Sequence, residues 1–498
     1  MSATSAAGRH PEQDGHLVSE SGGVRHIAVV GAGAAGTLTA MRLLQHAAAD
    51  RRAALRIWLI DPEPAGRGLA FGTEAPHHLL NVPAGRMSAH RDDPDHFVRW
   101  LAEHGEPGRE HDFIARGRYG RYLADSLDAA SRLDGAPDLV RLHDRVVGIT
   151  HQPDPAASPL RLRLASGQWL DFDAAVLALG NFAPGQGWAP PALRSAPGYL
   201  PDPWAPGALE RVADDRDVLL VGTGLTMVDM ALTLQRPGRV VHALSRHGLV
   251  PQPHAGTPVV VAPTPDLDGV SGLAELRRAV LRQISRCRRS HGDWRAGVDS
   301  LRPLTSALWQ RLSPADQARL LDQDLRLWET HRHRIPPTSA AALRGAVDAG
   351  LVSIGRGTVV GAETAEATES GKSAETTADR LQVRLDNGRR LRVAAVLNCT
   401  GSQTDLTRVE DPLVADLLAG GLGYPAPVGG GFDTTSAGRL RPAADHAPAP
   451  LWTLGTLRRG NLLESTAIPE IRCQADDLAL LLLDRSAVEQ RGATARQH

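Results

Sequence analysis

Of the 55 lysines and arginines in this chain only one is a lysine, Lys372. It sits in a polar, low-complexity stretch, TAEATESGKSAETTAD (364–379). A Walker-type loop needs its lysine inside a glycine-rich turn, and a Schiff-base lysine needs burial. Both chemistries are therefore excluded. Cysteine is nearly as scarce: Cys287, Cys399 and Cys473 lie far apart and form no CxxC pair. No disulfide framework and no dithiol redox centre is written here. Three scattered thiols suit a reducing compartment, so the expected location is cytoplasmic. An excess of charge is missing too. The formal net charge is -1, which implies no nucleic-acid partner. No run approaches ~18 apolar residues, so no membrane span is expected. Residues 1–24 lack an apolar h-region and read as a disordered tail, with a frayed tail at 486–498.

What remains is ordinary globular material. The 498 residues are 42% hydrophobic, enough for two or three domains. A strand, a glycine turn and a helix follow one another in HIAVVGAGAAGTLTAMRLLQHA from His26. RIWLIDP (56–62) predicts a second strand that ends in an acid. GRGLAFGT (66–73) predicts a glycine-rich turn. Strands are expected in LVRLHDRVVGIT (139–150), PLRLRLASG (159–167) and QWLDFDAAVLALG (168–180). The same strand–turn–helix order returns in DVLLVGTGLTMVDMALTLQ (217–235), followed by a strand in RVVHALSRHG (239–248). Residues 273–330 carry helical spacing. The fold class expected is α/β, with two Rossmann-like dinucleotide-binding domains and an inserted helical region. The boundaries expected are 25–205 and 406–485 for the first domain, 206–262 and 335–405 for the second, and 263–334 for the insertion.

Each glycine turn has a physical reading. In the first, Gly31 allows the tight turn, Gly33 lets the backbone approach a pyrophosphate, and Gly36 lets helix pack on strand. Ala34 opens the helix, whose N-terminus offers N–H groups and a positive dipole to phosphate. Asp61 closes the next strand, where an acid can accept from a ribose. The bland alternative is a glycine-rich turn without a ligand. In the second turn Gly222 and Gly224 are kept, but Met227 fills the third glycine position, so helix and strand should sit further apart. Arg246 follows the next strand where the first unit has an acid, and a cation there suits the 2′-phosphate of NADPH. Gly180, Gly401 and Gly455 each close a strand. Ile468 and Pro469 open a helix whose dipole could face developing negative charge. HRHR (331–334) lacks metal-ligand spacing, and no metal is expected. It reads as a positive patch near a nucleotide or as a solvated surface.

HHLLNVPAGRMSAH (77–90) is apolar yet has no helical or strand period. Taken with GAGAAG, LALGN, GTGLTMVDMAL, ALSRHGLVPQPH, HRHRIPP and LGTLRRGNLLESTAIPEIRCQA, it resembles the bacterial FAD/NAD(P)-binding proteins allied to class B flavin monooxygenases and to flavin-dependent N-hydroxylating enzymes. The resemblance covers most of residues 25–485. It implies FAD on the first Rossmann unit, NADPH on the second and molecular oxygen as co-substrate. The substrate does not carry over with it; the leading reading is a monooxygenase acting through a C4a-hydroperoxyflavin, with oxygenation of the nitrogen of an amino acid or small amine as the first subtype. Residues 77–90 then become a loop packed beneath the flavin ring, with Asn81 as a donor to the ring edge, Met87 as packing, and Arg86 facing flavin or substrate. Two alternatives stay open: a flavin reductase without a dithiol, and a nucleotide-sensing flavoprotein. Substrate identity and oligomeric state are not legible, and a homo-oligomer is compatible with the sequence.

Overall fold

A computed structural model describes residues 23–50, 54–152, 158–212, 216–364 and 381–484. The predicted tails, and most of the polar stretch 364–379, lie outside the described residues. Two parallel sheets organise the chain. The first has five strands in the order Leu451–Thr453, Ala174–Leu177, Arg25–Val30, Leu55–Ile60, Asp138–Leu142. Their register aligns Thr453, Leu177, Val30, Ile60 and Leu142 in one row of carboxyl ends. Continuous apolar runs such as AVV and AAVL form these strands because both sheet faces are covered. On one face lie the helices Ala34–Asp50 and Ile468–Leu483. Leu38, Met41, Leu43 and Leu44 of the former are fully buried there, each contributing about 1.5–3 kcal/mol. On the other face lie an antiparallel meander (Val146–His151, Leu160–Leu164, Trp169–Phe172) and the helix Pro412–Ala419.

The second sheet repeats the plan. Its order is Val352–Arg356, Val241–Ser245, Val218–Val221, Ala395–Asn398, Tyr199–Leu200, again all parallel. It too carries a three-stranded meander, Val359–Thr364, Leu381–Leu385 and Arg390–Val393. Between the halves of this unit stand the helices Leu273–His291, Arg295–Ser300, Thr305–Arg311, Pro314–Gln323 and Leu325–Arg332, within the insertion predicted at 263–334. No helix among the described residues is long and apolar enough to cross a membrane.

Three local expectations change. QWLDFDAAVLALG is two strands, because Asp173 turns the chain from the meander into the parallel sheet. Its carboxylate accepts from His26 N at 2.7 Å, and its own N–H donates to His26 O at 2.9 Å. The alternating WLDF suits a sheet with one buried face, whereas the continuous AAVL suits the doubly covered one. LVRLHDRVVGIT splits in the same way, at 143–145. Within GRGLAFGT, Gly68–Phe71 form a short helix.

Candidate cofactor and active site

The crevice beyond the carboxyl ends of an open parallel sheet is where such folds place a ligand. Beyond the first sheet lies a cleft of about 630 Å³, lined by Gly31, Asp61, Asp144, Leu179 and Asn181 among others. Gly31 has φ +101°, and a Cβ there would lie 2.4 Å from Ala178 O. Only glycine meets both conditions. At Gly36 a Cβ would lie 1.7 Å from Gly31 O, so the helix packs directly on its own turn. At Gly33 a Cβ would find only Gly68 Cα, at 3.7 Å, which leaves the turn open to an approaching group. Ala34 begins the helix, whose first N–H groups have no intrahelical acceptor and face the turn. Asp61 pins this arrangement: its two oxygens accept from Ala32 N at 2.6 Å and from Glu63 N at 2.8 Å. A carboxylate has about four acceptor positions, so each oxygen retains capacity toward the cleft. These features fit a dinucleotide.

The second sheet repeats the turn geometry of the first. Gly222 has φ +108°, and its Cβ would lie 2.2 Å from Cys399 O, the counterpart of Ala178 O. Gly180 and Gly401 both adopt positive φ (+67° and +91°) with open space around them. Beyond this sheet lies a cleft of about 740 Å³ that takes in Gly222, Gly224, Arg246, Arg326, His333 and Thr456. Arg246 is exposed at its rim. Met227 is fully buried in the core of this half, where the first half has bare backbone at Gly36.

Arg326, from the inserted helices, escaped the sequence reading. Its guanidinium donates to Thr223 O at 3.1 Å and to Leu249 O at 2.9 Å, so it stands over the second glycine turn. Burial pulls its pKa below the usual arginine value, while Glu329 pulls it back up. No local motif marks it; only the docking of the insertion brings it to the turn. The HRHR stretch does not supply a free positive patch. Arg332 is tied to Glu464 (2.9 Å) and Arg334 to Asp299 (2.5 Å). His333 lines the cleft with its pKa lowered to about 4, first by burial and then by Arg332. No metal-ligating cluster occurs among the described residues.

The insertion is latched to the segment that runs from the last strand into the first turn of the last helix. Arg332–Glu464, Arg302–Glu470 (2.6 Å) and Arg459–Glu329 (2.6 Å) span the junction. Trp309 Nε1 adds a bond to Gly460 O at 2.8 Å. Gly455 (φ +69°) closes the last strand, where a Cβ would lie 3.9 Å from Ala35 Cβ and 3.8 Å from Ile471 Cγ1. Ile468, buried, is the first residue of the last helix. The two clefts meet at Asn181, which lines both and accepts from Thr456 Oγ1 at 3.2 Å.

Residues 77–90 seal one half against the other. His77 and His78 both meet Thr233 Oγ1, at 2.8 and 2.9 Å. His254 donates to Asn81 O at 3.0 Å, and beside them Arg116 pairs with Asp229 at 2.8 Å. Asn81 itself is half-buried, and Arg86 is exposed. Met87 is 2% exposed and packs in the core with Leu38 and Phe97. Its packing role has a clear basis, but it offers a ligand almost no surface.

His78, His90, His254 and His333 each have a pKa lowered to about 4, with burial the largest cause in every case. The unfolded chain therefore binds protons that the folded one refuses between pH 6.5 and 4. This contribution is complete above 6.5 and is lost as pH falls. Asp229 opposes it: burial raises its pKa to about 6, so its effect weakens the fold as pH rises toward 6. Four groups outweigh one. The urea midpoint is expected to fall steadily from pH 6.5 to 4, and a flat or rising midpoint would contradict the assignment.

Comparison with solved structures finds the same fold across nearly the whole chain. Reduced ornithine hydroxylase (PvdA) from Pseudomonas aeruginosa superposes with a TM-score of 0.59 at 16% identity, covering 94% of this chain and 100% of that one. Ornithine N-hydroxylase KtzI from Kutzneria sp. 744 gives 0.57 at 16%, with 94% and 100% covered. L-lysine 6-monooxygenase from Pseudomonas syringae gives 0.55 at 18%, with 94% and 99% covered. At these identities the likeness is one of fold. Among curated proteins no sequence match is found. The sequence profile described as FAD-NAD(P)-binding matches residues 28–182, which hold the first glycine turn, Asp61 and the loop 77–90.

Proposed function

We propose that this chain is an FAD-dependent, NADPH-using monooxygenase that oxygenates the nitrogen of an amino acid or amine. The observation that carries the reading is the meeting of two dinucleotide clefts at Asn181, which sets one cofactor to reduce the other. Its support is threefold: the FAD-NAD(P)-binding match, the cation Arg246 at the second rim, and the likeness in fold to hydroxylases of ornithine and lysine. The domain division proposed is the one expected from the sequence, except that the strand Tyr199–Leu200 pairs in the second sheet, so that unit begins before residue 206. Gly31, Gly33, Ala34, Gly36, Asp61, Gly180, Gly455 and Ile468 would hold FAD, with Asn81 and Arg86 toward the ring and Met87 packing the loop from within the core. Gly222, Gly224 and Arg246 would hold NADPH, and Arg326 would face its pyrophosphate. Bound FAD supplies the reduction of dioxygen, for which the balance is amine, O2, NADPH and a proton giving hydroxylamine, water and NADP+. The side chains bind, orient and exclude water. The interface at His78, Arg116 and Asp229 holds the two cofactor units in register. Three free thiols suit a cytoplasmic enzyme.

Purified FAD-loaded protein should oxidise NADPH under air and give an amine product heavier by one oxygen. NADPH consumption with no oxygenated product for any amine would favour the reductase, and flavin that NADPH leaves oxidised would favour a sensor. Arg246→Ala should raise KM for NADPH about 10- to 100-fold, the weight of a charged hydrogen bond, and leave KM for NADH nearly unchanged. Equal changes for both would remove the 2′-phosphate role.

A further inference from the structure

Inside the inserted helices lies a third space, an apolar cavity of about 580 Å³, within the size range of small-molecule sites. Val280, Val298, Leu308, Trp309 and Leu320 are among its walls. Leu281 and Leu327 also line it while remaining 64% and 55% exposed, so apolar surface is left open there. The cavity is not isolated. Trp328 and Leu463 line both it and the second dinucleotide cleft, and form the partition between them.

That partition is strained. Leu463 is the one non-glycine residue with positive φ among the described residues, at φ 60°, ψ -52°. Glu464 N donates to Leu462 O at 2.7 Å across it, which makes a γ-turn of the rare φ-positive kind. A bulky residue pays for such a conformation, and strain of this kind collects at ligand clamps. It persists because the surroundings over-determine it: Leu463 packs among the helical core, and Glu464 is clamped by Arg332. A strained leucine thus stands in the wall shared by an apolar room and the cofactor cleft.

We propose that the cavity receives the apolar body of the substrate, whose reacting nitrogen passes Leu463 and Trp328 into the cofactor cleft. The substrate is then an amine carrying an extended apolar group, not a free diamine or diamino acid. This rests on the monooxygenase reading for the word substrate, but the binding site does not. The test is calorimetric titration of the FAD-loaded protein, without NADPH, with n-butyl-, n-hexyl-, n-octyl- and n-decylamine and with cadaverine. Affinity should rise about fourfold per added methylene, and cadaverine should bind more weakly than hexylamine. The double variant Leu281→Glu/Leu327→Glu changes two exposed positions and should flatten that slope. An affinity independent of chain length, or a slope the variant leaves intact, overturns the proposal. Adding NADPH and air separates the two readings. Alkylamines that bind with the expected slope but gain no oxygen uphold the cavity and sink the monooxygenase. Cadaverine or ornithine oxygenated while alkylamines neither bind nor react does the reverse.

Discussion

Gly36→Ala is expected to yield a protein that has lost both flavin and much of its stability, whereas Gly33→Ala loses flavin alone. The two positions are three residues apart in one turn, yet their surroundings differ completely. A methyl at 36 would lie 1.7 Å from Gly31 O and 2.9 Å from Gly31 C, backbone atoms with no rotamer to yield. The helix Ala34–Asp50 would have to move off the sheet it covers, and overpacking of this kind costs about 1–3 kcal/mol or more. A methyl at 33 meets ordinary contact at 3.7 Å and leaves the fold in place. It does occupy the side from which a pyrophosphate would approach. Bound flavin per chain and the urea midpoint together check the pair. Normal flavin in Gly33→Ala would mean that the first turn does not touch a phosphate, and an unchanged midpoint in Gly36→Ala would contradict the packing.

Glu464→Ala should be the most damaging change outside the glycine turns. Arg332 and Glu464 are paired in a fork, with bonds of 2.9–3.1 Å, and their side chains are only 11% and 9% exposed. Glu464 raises the Arg332 pKa against the opposing pull of burial. Removing the carboxylate strands a buried guanidinium, which costs about 3–5 kcal/mol. An apolar double replacement, Arg332→Met/Glu464→Leu, should recover most of that loss, because both desolvated charges leave together. Denaturant titration of the two variants decides it. A single variant within 1 kcal/mol of the parent chain, taken as roughly the size of an exposed pair, would show that water reaches the pair.

Both Rossmann units, their order and the place of the insertion were legible, because glycine turns at fixed spacing behind apolar runs have few other solutions. The strand-closing glycines were legible as well, and the reason became visible only in three dimensions. Ala178 O and Cys399 O press against Gly31 and Gly222, so each turn is shaped by a strand far away in sequence. Arg326 was invisible, since its role is fixed by how the insertion docks and not by its neighbours in the chain. The loop 77–90 was half legible. Its apolar, aperiodic character did mark a packed loop, but His77 and His78 face Thr233 of the other half. HRHR misled because sequence shows the arginines and not their partners, which lie 132 and 35 positions away.

The first sheet takes its edge strand from Leu451–Thr453, and its first helix is covered by Ile468–Leu483. Arg25 reaches across to Leu482 O at the far end of that helix. During synthesis, then, residues 25–60 must wait for residues 451–483, which follow much later in the chain. At ~5–20 residues per second that interval is roughly 20–80 s, spent with the side of Ala34–Asp50 that meets the last helix uncovered. The second sheet closes sooner, drawing only on residues 199–398. The later unit in the chain is therefore the first that can be completed, and the glycine turn nearest the N-terminus becomes competent to hold its ligand last.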